Sequence, residues 1–261
     1  MQGRTLSIFF AAASFVITAL FTGYDLAAHG QATEAPPPVI TVPETQPPVT
    51  SPPTVPATEA TQPDSSQLLR QQCAQAAESI SGTHIFAYDP VSCGMVYANT
   101  AAEDTLYPAS ITKLYTAYLA LQYLEPDTVI TAGDELELVK SGSSTAFIAR
   151  GHRLRVDMLV EAMLLPSGND AAQVAAVAAG RAISGSNLPY EEAVKVFVAE
   201  MNRQAEILGM ENSHFVNPDG IHKVNHYSSY RDLTKMAQLA LENPTILKYA
   251  SINVDYVTFA S

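Results

Sequence analysis

Apolar and polar positions alternate along this chain with three different rhythms. From Leu6 to Gly23 the only polar interruptions are Ser7, Ser14, Thr18 and Thr22, and none carries charge. From Thr33 to about Gln67 there is no apolar rhythm, and proline and threonine dominate. Beyond that, helical and strand periods take over. Ser66 to Ser79 reads as a helix, and Tyr190 to Leu208 and Tyr230 to Leu241 as amphipathic ones. Val156 to Leu165 is a short apolar helix. Asp170 to Ala182, dominated by alanine, is another, and Pro166-Ser167-Gly168-Asn169 breaks the chain between the two. Gly82 to Asp89 and Gly94 to Ala98 alternate around turn residues Pro90 to Cys93, which predicts a hairpin. Residues 128 to 155 are mixed short elements punctuated by Gly142 and Gly151. Asn217-Pro218-Asp219-Gly220 is a turn. The chain stops in Asp255-Tyr256-Val257-Thr258-Phe259, a strand alternation with no partner following it.

These rhythms divide the chain into residues 1–32, 33–67 and 68–261. The first is a targeting or anchoring segment. Arg4 precedes the apolar run and Asp25 follows it, which orients the remainder away from the cytoplasm. Gly30-Gln31-Ala32 is a small-x-small cleavage site, so both a retained membrane anchor over residues 6–23 and a removed signal peptide fit. Either way the rest is exported, to the outer face of the cell envelope or to the wall. The second segment holds ten of the seventeen prolines and forms an extended or disordered stalk. A spacer serves best when one end is fixed, which favours the retained anchor. The third is long enough for one cored domain.

The net charge of −12 argues against nucleic-acid binding and says nothing sharper. Cys73 and Cys93 lie beyond the stalk, in an oxidising compartment if the chain is exported. Spacing alone leaves a disulfide between them open.

Tyr107-Pro108-Ala109-Ser110-Ile111-Thr112-Lys113 carries the chemistry. It leads into the apolar run Leu114 to Leu121, so a helix begins here with Ser110 and Lys113 three apart on one face. A desolvated lysine can take the proton that keeps a serine hydroxyl unreactive. The alternative is that Ser110 only caps the helix. Ser167-Gly168-Asn169 is a turn carrying a hydroxyl and an amide, and it too can be a helix cap. His222 and His226 have a metal-like spacing, but no glutamate lies between them on a helix. Solvation or packing against Tyr227 is the expectation for the loop histidines. A Gly-x-Ser-x-Gly elbow is absent from the sequence.

Taken in order, Pro-Ala-Ser-Ile-Thr-Lys, Leu-Leu-Pro-Ser-Gly-Asn-Asp-Ala-Ala and His-Phe-Val-Asn-Pro-Asp-Gly-Ile-His resemble the serine D-alanyl-D-alanine carboxypeptidases. These are the low-molecular-mass penicillin-binding proteins of peptidase family S11. The resemblance covers residues 68–261 and extends to Gly142-Ser143-Ser144, Met201-Asn202, Leu208-Gly209-Met210 and Asn225-His226-Tyr227-Ser228. It implies an α/β (α+β) fold of the penicillin-binding protein and serine β-lactamase type, an antiparallel sheet flanked by helices. It also implies Ser110 as acylated nucleophile, Lys113 as general base, Ser167 as proton relay and Asn169 as a ligand of the substrate amide. The Ser110 backbone N–H would form half of an oxyanion hole. The substrates implied are peptidoglycan stem peptides, with β-lactams as inhibitors and no metal or organic cofactor.

The family's third motif, Lys-Thr-Gly or Lys-Ser-Gly, follows Ser-x-Asn on a strand. Lys140-Ser141-Gly142 precedes Ser167 and is read as a decoy. The motif and the final strands are therefore expected beyond Ser261, in a longer protein, and a degenerate relative is the alternative. Without those strands the Ser110 helix is expected to lack partners on its sheet-facing side. A serine β-lactamase of the same fold and a non-catalytic penicillin- or wall-binding relative are the rival functions. Ser-Gly-Asn and the Asn-Pro-Asp-Gly-Ile-His loop favour the carboxypeptidase.

Overall fold

The computed structural model describes residues 6–8, 17–19, 65–78, 85–89 and 94–252. Leu6–Ile8 (β1) pairs antiparallel with Ile17–Ala19 (β2). The rest of the expected anchor, nearly all of the stalk, Cys93 and the alternation at 255–259 lie outside the described residues, as does the side chain of Cys73. Among the described residues no helix is long and apolar enough to cross a membrane.

Helix α1 (Ser65–Glu78) starts inside the stretch read as stalk. Phe86–Asp89 (β3) and Gly94–Ala98 (β4) form the expected hairpin, with a register shift at Ala87/Tyr88. The domain is otherwise built by helices: α2 (Thr112–Tyr123), α3 (Val156–Leu164), α4 (Asn169–Ser184), α5 (Tyr190–Ile207), α6 (Tyr230–Glu242) and α7 (Pro244–Ala250). Alanine supplies α4 with high helix propensity and a thin profile. Ala171, Ala172, Val174, Ala175 and Ala176 are completely buried, so α2, α3 and α5 all pack against this helix. Gly185 closes α4 in the left-handed conformation at φ 66°, and Asn243 caps α7 with Pro244 in its first turn.

Helix α2 runs through the middle. Tyr115, Ala117, Leu119 and Ala120 are at most 1% exposed. The expected shortage of partners is thus limited to one flank, where Leu114, Tyr118 and Leu121 are half-buried. Five helices, rather than a broad sheet, supply the cover that the described residues give it.

The remaining strands form two further antiparallel pairs. Val129–Thr131 (β6) pairs with Arg153–Arg155 (β7). Thr105–Leu106 (β5) pairs with Ser228–Ser229 (β8), elements too short for alternation to announce. This last pair positions the site: β5 lies just before Ser110 in the chain and β8 just after the 214–227 loop, so two distant segments are fastened together beside the head of α2. Helices and small antiparallel sheets make a mixed α/β domain.

Candidate active site

Ser110 does not open an α-helix directly. Ala109 to Ile111 form a single 3-10 turn that feeds into α2, and Ser110 makes no capping bond there. Ala109 is left-handed at φ 48°, a costly conformation for a residue with a Cβ. Its carbonyl lies against Gly220, where an added Cβ would stand 1.8 Å from Ala109 O and 3.1 Å from Ser110 N. Gly220 is itself at φ 83°. Only glycine satisfies both demands, and its bare backbone holds the Ala109–Ser110 link in place.

Lys113 follows one turn later. It is 1% exposed, with Nζ 3.2 Å from Ser110 Oγ and 2.7 Å from the Asp219 carbonyl oxygen. Burial pushes its pKa down to about 8, against the opposing pull of the Asp219 and Asp170 carboxylates. At neutral pH about a tenth of the molecules therefore hold a neutral amine. That amine can keep donating to Asp219 O while its lone pair faces the serine.

Ser167 reaches the same hydroxyl from the other side. Its Oγ donates to Ser110 Oγ across 2.9 Å, although 57 residues separate them. Ser167 is left-handed at φ 57°. Gly168 N–H bonds to Ala162 O and Asn169 N–H to Ser144 O, which clamp the turn from both sides. The buried Asp170 carboxylate accepts from the backbone N–H groups of Ala146, Ile148 and Ala171, tying the 142–150 loop to the head of α4. Neither Ser167 nor Asn169 caps α4; Gly168 occupies that position without a side-chain bond.

Of the four residues expected at the site, Ser110, Lys113 and Ser167 form one hydrogen-bonded chain. Asn169 is the first residue of α4 and 3% exposed, and among the described residues it makes no hydrogen bond to the other three. Lys140-Ser141-Gly142 is a turn and not a strand: Ser143 Oγ bonds to Lys140 O, and Gly142 has φ 78°.

The 214–227 loop contributes more than its sequence announced. Thr116 Oγ1 donates to Pro218 O, Asn217 bonds to Gly220 N and Ile221 O, and Gln173 Nε2 donates to Asp219 Oδ2. His226 departs from the expectation that the loop histidines are solvated or packed against Tyr227, being 1% exposed and set edge-on to Phe215. Its Nδ1 accepts from Val216 N–H, so Nε2 carries the proton toward Thr112 Oγ1, 3.0 Å away. Burial lowers its pKa to about 4 and keeps it neutral. His214 stacks on Tyr227 and His222 packs edge-on against Tyr107, so the three rings serve different contacts. Asp170, Gln173, Asp219 and His226 were missed as site residues. The one signal for Asp219 was its turn, and the others act through partners far away in sequence.

A serine flanked by a depressed lysine and a second hydroxyl can pass its proton in either direction while attacking a carbonyl. The family profile for D-alanyl-D-alanine carboxypeptidase (peptidase S11) matches residues 71–261. The D-alanyl-D-alanine carboxypeptidase DacF of Bacillus subtilis is 33% identical over 168 residues, covering 63% of this chain and 40% of the relative. The D-alanyl-D-alanine carboxypeptidase of Streptomyces sp. strain K15 is 35% identical over 156 residues, 58% of this chain and 52% of the relative. The crystal structure of the Streptomyces K15 DD-transpeptidase superposes with a TM-score of 0.55 at 33% identity, covering 61% of this chain and 60% of that one. The chain spans about half or less of the length of these curated relatives.

Proposed function

The chain belongs to the D-alanyl-D-alanine carboxypeptidase family, and we propose that it carries the acylation machinery of a penicillin-sensitive enzyme trimming peptidoglycan stem peptides. Ser110 Oγ attacks the carbonyl of the penultimate D-alanine and gives its proton to neutral Lys113 Nζ. The proton then passes through Ser167 Oγ to the departing amine, and terminal D-alanine leaves. Water hydrolyses the Ser110 ester by the reverse route. Asn169 orients the substrate amide, and Ser110 N–H receives part of the developing oxyanion charge. The site works outside the cytoplasm, on a stalk held at the membrane by residues 6–23 or released from it.

The observation that carries this reading is the unbroken path Lys113 Nζ–Ser110 Oγ–Ser167 Oγ, with lysine depressed to about 8. Incubation with a labelled penicillin and mass mapping tests it. The adduct is expected on the peptide holding Ser110 and is expected to vanish in Ser110→Ala; a persisting adduct refutes the assignment.

A further inference from the structure

Lys113 is a buried amine with carboxylates nearby and none in contact. Its Nζ bonds to two neutral oxygens, Ser110 Oγ and Asp219 O, and no ion pair among the described residues includes it. Two carboxylates act on it from a distance, Asp219 from the 214–227 loop and Asp170 from α4. The Asp170 carboxylate is tied down by the N–H groups of Ala146, Ile148 and Ala171. The turn before α4 brings only the Ser167 hydroxyl, through Ser110. His226, from the same loop as Asp219, is neutral at physiological pH. Lys140 and Lys223 line a cavity that Asp219 also lines.

Asp219 presents both a carbonyl and a carboxylate to this corner. The carbonyl lies 2.7 Å from Nζ, and another side-chain rotamer would carry the carboxylate toward the same amine. Two bonds oppose that swing: Gln173 Nε2 donates to Oδ2 across 2.9 Å and Ile221 N–H to Oδ1 across 3.0 Å. The Ile221 bond is local, whereas Gln173 reaches in from α4, 46 residues away in sequence. A carboxylate can only accept, so this bond fixes the amide with Nε2 toward Asp219. Gln173 is buried, and its Oε1 is left without a partner among the described residues. A buried acceptor left unpaired is destabilising, so the amide serves the Asp219 bond ahead of its own full satisfaction.

We propose that Gln173 is a positioning residue that holds the Asp219 carboxylate off Lys113, so that the lysine can serve as a base. Given the acylation chemistry proposed above, on which this role rests, a carboxylate drawn into contact would favour the ammonium form and lock the proton on Nζ. Held in place, Asp219 offers Nζ a neutral carbonyl instead, which keeps the amine beside Ser110 in both protonation states. Gln173 bonds to neither Ser110 nor Lys113 and acts through Asp219.

The test follows the pH dependence of penicillin acylation in the full chain and, in parallel, the titration of Lys113 by NMR of carbon-13-labelled lysine, which needs no activity. Gln173→Met keeps the side-chain length and removes the donor. Its midpoint should rise about one pH unit above the parent's, so the rate at pH 7 falls about tenfold as a fraction of its own high-pH plateau. Gln173→Asn keeps the amide but shortens its reach, and it carries the same expectation where Gln173→Met does not fold. Asp219→Asn removes the charge and should move the midpoint below the parent's. In the double variant Gln173→Met/Asp219→Asn the midpoint should also lie below the parent's, because no carboxylate remains to be released. A loss of packing alone would lower the plateau and leave the midpoint in place. A Gln173→Met midpoint at or below the parent's overturns the proposal. So does one that stays raised in the double variant, or an Asp219→Asn midpoint at or above the parent's. If Ser110 of the parent takes up no penicillin, the acylation reading falls, and the Lys113 midpoints by NMR still decide the role of Gln173.

Discussion

Along α4, the residues from Ala171 to Ala176 are buried in an unbroken helical backbone, and Gly180 approaches α5 so closely that a Cβ there would sit 2.0 Å from Ala193 O. Two residues before that helix, Ser167 is left-handed and held by hydrogen bonds around it, and it meets Ser110 beside a second left-handed residue, Ala109. The α4–α5 seam gains its stability from regular backbone and tight apolar contact. The cleft spends stability on strain and on burying Lys113, Asp219 and His226. Neighbours over-determine each strained residue there: Gly220 against Ala109, and Asp170 beneath the loop facing Ser167. Damage to the seam should therefore lower stability and spare chemistry, whereas damage to the cleft should abolish chemistry first.

The sharpest test is Lys113→Arg, which keeps the charge and supplies no base. Acylation by penicillin, measured per folded molecule, should fall by about 10²–10⁴-fold. In the parent the acylation rate should climb with pH to a midpoint near 8, as the amine deprotonates. Because the folded pKa lies below the unfolded one, the folded state binds fewer protons between about 8 and 10.5, so Lys113 makes stability rise with pH in that window. A rate that is flat from pH 6 to 9 would remove Lys113 from the role of base.

The two glycines compare the regions directly. Gly220→Ala forces a side chain into Ala109 O at a left-handed φ and should cost about 3 kcal/mol or more, with acylation lost even in molecules that remain folded. Gly180→Ala pushes α5 away from α4 and should cost about 1–3 kcal/mol, while the folded fraction acylates at the parental rate. Urea unfolding and adduct stoichiometry measure both quantities. Equal loss of acylation in the two variants would dissolve the distinction.

His226 offers a pH test of the cleft. Its folded pKa of about 4 lies below the ordinary histidine value, so its contribution is complete above about 6.5 and is lost as pH falls toward 4. The loss is about 3 kcal/mol over that window. Denaturant midpoints for parent and His226→Gln should converge as the pH drops. Parallel curves would show that His226 titrates in the folded protein as it does in the unfolded chain.

Much of the seam was legible because its signals are local. The periods of α3, α4, α5 and α6 placed those helices to within a residue or two at most ends. Pro244 after Asn243 was itself a helix-start signal, yet α7 is only seven residues long and its period is too short to read. In the cleft, the i, i+3 relation of Ser110 and Lys113 was legible and the 3-10 turn that delivers it was not. Ser167 entered through motif order, since nothing in its own sequence neighbourhood points to residue 110. Asp219 accepts from Lys113 through its carbonyl, a group that every residue has, so its side-chain type gave no warning of that bond. Burial of His226 depends on Phe215, Thr112 and Val216 converging on it, which no spacing rule encodes.

The smallest expected effect concerns Phe147, which lies between the two N–H groups, of Ala146 and Ile148, that the Asp170 carboxylate holds. It is left-handed at φ 57° and 85% exposed. The strain is imposed by its neighbours, since an exposed ring gains little from packing. Replacement with glycine or with alanine removes the same small amount of ring contact, and the two variants differ in the Cβ that the left-handed backbone must accommodate. In a helix or strand the glycine variant would be the weaker by about 0.5–1 kcal/mol. Here the order should invert, with Phe147→Gly more stable than Phe147→Ala by about 1 kcal/mol, because relief of the left-handed strain outweighs the added freedom of the unfolded chain. Urea midpoints of the two variants decide it. If alanine proves the more stable, residue 147 is not held left-handed in solution, and the Asp170 clamp does not fix the loop beside Ser167.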